Sequence, residues 1–215
     1  MRSTVHKLAL PAAVLVMAAV ACTAGSESET PKGQSASEVC GGFAADPAAA
    51  AALEAIAGKG ASLTDDGSEP DRVLIDLRKA ARTPQSGKQR TKGIPFCTLE
   101  TAGDEKNVLH LTVREALAVP ASEGSKELVT AYSTGRLATS SDLYASLYFS
   151  CRMKPPAHEI VLDVELHRAD ENEADHPGIR DEQITLADAA AQDVAAELGC
   201  AGTELVKGVP VKARS

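Results

Sequence analysis

Residues 143–167 read LYASLYFSCRMKPPAHEIVLDVELH. Leu143, Ala145, Leu147, Phe149, Cys151 and Met153 alternate with Tyr144, Ser146, Tyr148, Ser150 and Arg152. That is the period of two by which a strand turns one side to a core and the other to water. Ile160, Leu162, Val164 and Leu166 repeat the pattern, with Asp163, Glu165 and His167 between them. Pro155-Pro156 breaks the run, so the two strands form a hairpin. A sheet built of such strands has one apolar face that must be covered. The expected fold class is therefore α+β, an antiparallel sheet with helices packed on one face.

Working outward, Phe96 to Thr101 and Val108 to Arg114 read as an earlier hairpin and Leu128 to Ser133 as a strand. Leu205 to Val211 reads as a closing edge strand, because Pro210 argues against a central place. A weak internal echo is visible. Phe96-Cys97 before Val108-Leu109 resembles Phe149-Ser150-Cys151 before Ile160-Val161. Three helices carry their own punctuation. Asp46-Pro47 opens the first, with Leu53 and Ile56 on one face and Gly58 after it. Ser68 and Asp71 bracket the second start, Val73, Leu74 and Leu77 face inward, and Arg78, Lys79 and Arg82 suit its negative end. Thr185 and Asp188 form a capping-box pattern for the third, whose Leu186, Ala190, Val194 and Leu198 precede Gly199.

At the other end of the chain, Arg2 and Lys7 precede the apolar run Leu8 to Ala21. The run is too short to span a bilayer and has the layout of an export signal. It closes on Ala19-Val20-Ala21-Cys22, which resembles the lipobox of bacterial lipoproteins. The resemblance implies cleavage before Cys22, diacylation of Cys22 by palmitate-class chains, and residence at the extracytoplasmic face of the cell membrane. With the abundant alanine, the signal looks like that of an actinobacterial lipoprotein. Two acyl chains anchor a protein stably where one does not. A plain secretory signal would leave Cys22 a spare thiol in an oxidising space, an oddity that acylation removes.

The expected organisation is a signal peptide over 1–21, a flexible tether over 22–38 and one extracytoplasmic domain over 39–215. Residues 23–38, TAGSESETPKGQSASE, lack any apolar side chain larger than alanine and valine begins only at Val39. The full chain has 22 bases against 30 acids, a net charge of -8, and only three Phe, three Tyr and no Trp. Such a surface repels a phosphate backbone and offers few stacking platforms, which excludes nucleic acid as a partner.

Cys40, Cys97, Cys151 and Cys200 are an even set in an exported domain, which argues for disulfides. No pair has the short spacing from which a zinc site starts. Three connectivities are open to the sequence. We expect Cys40 with Cys97 and Cys151 with Cys200, each joining a helix end to a strand in the same half. Each bridge would close about fifty residues and contribute roughly 4 kcal/mol by chain entropy.

The patterns that could carry chemistry are incomplete. Ala131-Tyr132-Ser133-Thr134-Gly135 resembles the small-residue elbow of serine hydrolases, and Asp163 or Asp175 with His176 would supply the chain order. That elbow needs a strand running into a helix, whereas Arg136 to Ser141 reads as a polar loop. His158, His167 and His176 lie among acids that suit a cation, yet Asp170 to Asp175 lacks the glycine of a calcium loop. The bland reading is a solvated loop. Lys88, Arg90 and Lys92 make a basic connector that could meet anionic polymer or headgroups. His110 sits in an aliphatic strand, facing solvent or the core's edge. No pattern calls for a metal or cofactor. The leading expectation is a lipid-anchored envelope module that binds a small ligand or a neighbouring envelope protein. The alternatives are a serine hydrolase using Ser133 and His176, or an envelope protein with a purely structural role.

Overall fold

A computed structural model describes residues 33–83, 92–103, 106–121, 128–169 and 178–214. A 3-10 turn over Val39–Gly42 leads to α1 (Pro47–Ala57), β1 (Leu63–Thr64), α2 (Pro70–Ala80), β2 (Ile94–Thr101) and β3 (Asn107–Ala116). There follow β4 (Thr130–Tyr132), β5 (Leu137–Ser140), β6 (Tyr144–Cys151), β7 (Ile160–Arg168) and α3 (Ile179–Leu198). The seven strands form one antiparallel sheet in the order β1-β2-β3-β7-β6-β5-β4. The fold is α+β, and both expected hairpins are present, as β2/β3 and β6/β7.

Register sorts the side chains into two faces. Cys97, Leu111, Leu166, Ala145 and Ser140 stand in one cross-strand row, and Val113, Val164, Leu147 and Ala138 in the next. All are buried. Above this face, α3 lies against β5, β6 and β7, α2 against β2 and β3, and α1 against α3. Lying between the sheet and α1, α3 is buried on two sides and needs small residues, hence its run of alanines. Ala187, Ala190, Ala191 and Val194 are each fully buried. Phe43 meets Phe96 edge to face at 6.0 Å.

The two disulfides join Cys40 to Cys97 and Cys151 to Cys200, with Cα separations of 5.5 and 4.8 Å. Each ties a segment outside the sheet to a strand of the covered face. Gly199, with φ 67°, ends α3 in a left-handed cap whose amide and that of Cys200 satisfy its last carbonyls. Cys200 is thereby set beside β6.

Several local expectations change. The fold begins before Val39: Gln34 exchanges two backbone hydrogen bonds with Leu63, and Ala36 is buried in the core. Residues 34–38, expected to be tether, are therefore part of the fold. Ser68 does not cap α2. Its hydroxyl accepts the Thr98 amide at 2.9 Å instead, and Pro70 takes the first helical position. Thr185 and Asp188 lie inside α3, which starts two turns earlier, after Gly178. Thr185 donates to the Asp181 carbonyl of the preceding turn, the other bond open to a threonine in a helix. Arg136 to Ser141 is not a polar loop, because Leu137–Ser140 is β5 and its Ala138, Thr139 and Ser140 are buried. Leu205 to Val211 makes no strand. It runs beside β4 through Ser133 N to Val211 O and Ala213 N to Ala131 O, with a single bridge from Tyr132 to Lys212. Both sheet edges are thus bordered by chain outside the strands, Gln34 at β1 and Lys212 at β4, which blocks edge-to-edge pairing.

Candidate functional site

The face of the sheet turned from the helices carries the polar partners of the same alternation. One row runs Thr98, His110, His167, Tyr144; the next runs Thr112, Glu165, Ser146, Thr139; a third runs Arg114, Asp163, Tyr148, Leu137. These positions are one residue out of step with the buried rows, so a single pattern builds both the core and the site.

Within the site the side chains hold one another. Asp163 is 1% exposed and accepts from Arg114 Nε at 3.0 Å and Nη2 at 2.7 Å. Arg114 Nη2 also donates to Glu165, whose side chain remains 41% exposed. Burial pushes the Arg114 guanidinium down, but the hydrogen bond and charge of Asp163 and the charge of Glu165 outweigh it, leaving its pKa raised. A third hydrogen bond reaches Asp163 from Ser146 Oγ at 3.4 Å. At the other end, Thr98 Oγ1 lies 2.8 Å from His110 Nδ1, and burial followed by the charge of His167 lowers the His110 pKa. His110 is therefore held in its neutral form to more acidic pH. The rings of Tyr144 and His167 stack at 4.5 Å with 27° between their planes. Tyr144 is 56% exposed.

Two adjoining cavities follow these rows. One of about 370 Å³ is lined from three strands by His110, Thr112, Tyr144, Ser146, Glu165 and His167. The other, about 320 Å³, lies between Arg114, Tyr148 and Asp163 and the segment Leu117 to Pro120. A third cavity of about 430 Å³ sits between α1 and α3, against Phe43, Asp46, Gln192, Asp193 and Lys207. There burial, then the charge of Glu197, raises the Asp193 carboxyl.

The expected site residues are dispersed. Ser133 is exposed in the turn between β4 and β5. Gly135 at φ 57° completes that turn, and a Cβ there would lie 2.5 Å from the Tyr148 carbonyl. The turn leads into a strand and not into a helix. Asp163 belongs to the Arg114 network on the open face. Asp175 and His176 lie outside the described residues, as do Lys88, Arg90 and Cys22, and Lys92 is exposed. His158 precedes β7 and His167 sits near its end, which separates them by about 30 Å of extended chain. Among the described residues, no group of three or more His, Cys, Asp or Glu side chains converges to hold a metal ion.

Two polar residues of the Ala131–Gly135 segment, Thr134 and Tyr132, serve the fold. The Thr134 hydroxyl donates to Asp188 and accepts the Val206 amide at 3.2 Å. Gln192 Nε2 donates to Asp188 at 2.5 Å and to the Val206 carbonyl at 2.7 Å. Tyr132 adds a bond to Asp181 at 2.5 Å, and burial followed by that bond raises the Tyr132 pKa. This knot fastens the C-terminal segment to α3. Its signal in the sequence was Asp188 at the buried spacing of α3, which the capping-box pattern masked.

Comparison with family models, curated proteins and solved structures finds no match. Among the described residues no helix is long and apolar enough to cross a membrane.

Proposed function

We propose that this chain is an envelope lipoprotein, anchored by acyl chains on Cys22 at the extracytoplasmic face of the cell membrane, whose α+β domain works by binding a ligand or a neighbouring envelope protein. The observation that carries the proposal is the pairing of all four domain cysteines in two bridges. Structural disulfides persist where thiols are not kept reduced. The pairing accounts for Cys40, Cys97, Cys151 and Cys200 and leaves Cys22 as the remaining cysteine of the five. The binding half of the proposal is supported by the open sheet face, whose side chains are fixed by mutual hydrogen bonds before any ligand arrives, an arrangement that reduces the ordering cost of binding.

The anchoring is tested by growing an expressing bacterial host on an alkyne-bearing palmitate analogue. The wild-type chain is expected to take up the label and sediment with membranes, and Cys22→Ser is expected to lose both. An unlabelled wild-type chain in the soluble fraction overturns the proposal. A fluorophosphonate probe serves as a second arm: covalent labelling lost in Ser133→Ala would replace binding by hydrolase chemistry.

A further inference from the structure

We infer that the strip of the open sheet face from His110 and His167 to Arg114 and Asp163 is a binding site for a neutral pyranose glycan, lying as an extended chain along β3, β7 and β6. The inference rests on the proposed binding role and gives it a ligand class. Three observations on the open face carry it.

The first is the ring platform. Tyr144 is the most exposed aromatic residue of the described chain, and one side of its ring is stacked on His167. The apolar C–H face of a pyranose packs on such a ring, whose own polar tip stays in water. Tyr148, four residues further along the same side of β6 and about 13 Å away, is buried and lines the second cavity. The second is the set of hydrogen-bonding groups that share the larger cavity: the Ser146 and Thr112 hydroxyls, the Glu165 carboxylate and the two imidazoles. Donors and acceptors stand side by side, as the hydroxyls of a sugar require, and Arg114 holds Glu165 in place.

The third observation is charge. The strip carries the Arg114 cation against the Asp163 and Glu165 carboxylates, so it does not attract an anionic polymer. The Asp163 charge is taken up within the sheet, where it is 1% exposed, which leaves little free charge for a cationic ligand. The two cavities, about 370 and 320 Å³, are lined by successive outward positions of β3 and β7, Thr112 and Glu165 in one and Arg114 and Asp163 in the other, which suits a chain that follows the strands.

The test uses the full acylated protein in detergent micelles, titrated by calorimetry with hexamers of glucose and of N-acetylglucosamine. At least one hexamer is expected to bind, with affinity lowered tenfold or more in Tyr144→Ala, severalfold in Glu165→Gln, and nearly retained in Tyr144→Phe, which keeps the ring. The side chain of Tyr144 is exposed, so Tyr144→Ala should keep both disulfides and the wild-type circular dichroism. Failure of both hexamers to bind at millimolar concentration overturns the inference, as does binding that Tyr144→Ala leaves unchanged. Binding of polyglycerol phosphate or of hexalysine in place of the neutral hexamers also overturns it. Because palmitate labelling through Cys22 is read separately, loss of this inference leaves the anchoring either standing or failing by its own experiment.

Discussion

The two faces of the seven-stranded sheet are written by the same strands and obey opposite rules. On the side beneath α2 and α3, rows such as Val113, Val164, Leu147 and Ala138 are closed to water, and each residue contributes through the area it buries. On the other side, Arg114, Asp163 and Glu165 are held by specific hydrogen bonds, and Tyr144 and His167 stand partly in solvent. The lesson is that a one-residue step along a strand separates side chains that close the core from side chains that hold one another by hydrogen bonds.

If that division is sound, substitutions should fall into a graded order. The largest effect is expected beneath the helices. Phe149→Ala empties a fully buried site between the sheet and α3 and should lower unfolding free energy by about 3–5 kcal/mol in urea denaturation. A change below about 1 kcal/mol would place Phe149 outside the core. Opening the Cys151–Cys200 bridge by the double change to serine should cost about 2–5 kcal/mol, because the end of α3 would no longer be tied to β6 in the folded or unfolded chain.

On the open face the costly residue is the buried one. Arg114→Met removes the guanidinium from a carboxylate that is almost wholly enclosed and should cost about 2–4 kcal/mol at neutral pH. A loss below about 1 kcal/mol would mean that Asp163 does not depend on Arg114. Tyr144→Ala, in contrast, should shift stability by no more than about 1 kcal/mol while it alters ligand binding. A large loss of stability would collapse the distinction between building and binding residues.

Asp188 is the covered side's counterpart, a polar group buried with partners. Burial raises its carboxyl pKa, against the pull of the Thr134, Gln192 and Val206 bonds. A folded value above the unfolded one, about 4, gives a contribution fully present below the unfolded value and lost as pH rises through the folded value. Asp142 has the reverse sign. The hydrogen bond from Arg180 lowers its pKa, so its contribution is present above the unfolded value and lost as pH falls. Asp188→Ala should therefore flatten the decline of stability with rising pH. It should also cost about 1–3 kcal/mol, by leaving Thr134, Gln192 and the Val206 backbone short of a partner.

Much of the fold was legible because it follows period and punctuation. The β6/β7 alternation, Asp46-Pro47 before α1 and Gly199 after α3 each report a local constraint. What escaped was set by tertiary contact. Thr185 and Asp188 match a helix start, but α3 has its core contacts on both sides and continues through them. Leu137–Ser140 is a strand because Ala138 and Ser140 pack opposite Leu147 and Ala145, which no four-residue polar window reveals. Of the site, the residues of β6 and β7 could be assigned to an outward face from sequence. That His110 and Arg114 join them needed the register of β3 against β7, a pairing across some fifty residues of chain.

Export, oxidation and anchoring at one cysteine are all read by the intact mass of the native product. A chain beginning at a diacylated Cys22, whose mass rises by four hydrogens when both domain bridges are reduced, is the result expected. A product that keeps Met1, or whose Cys40, Cys97, Cys151 and Cys200 are free thiols before reduction, would contradict it.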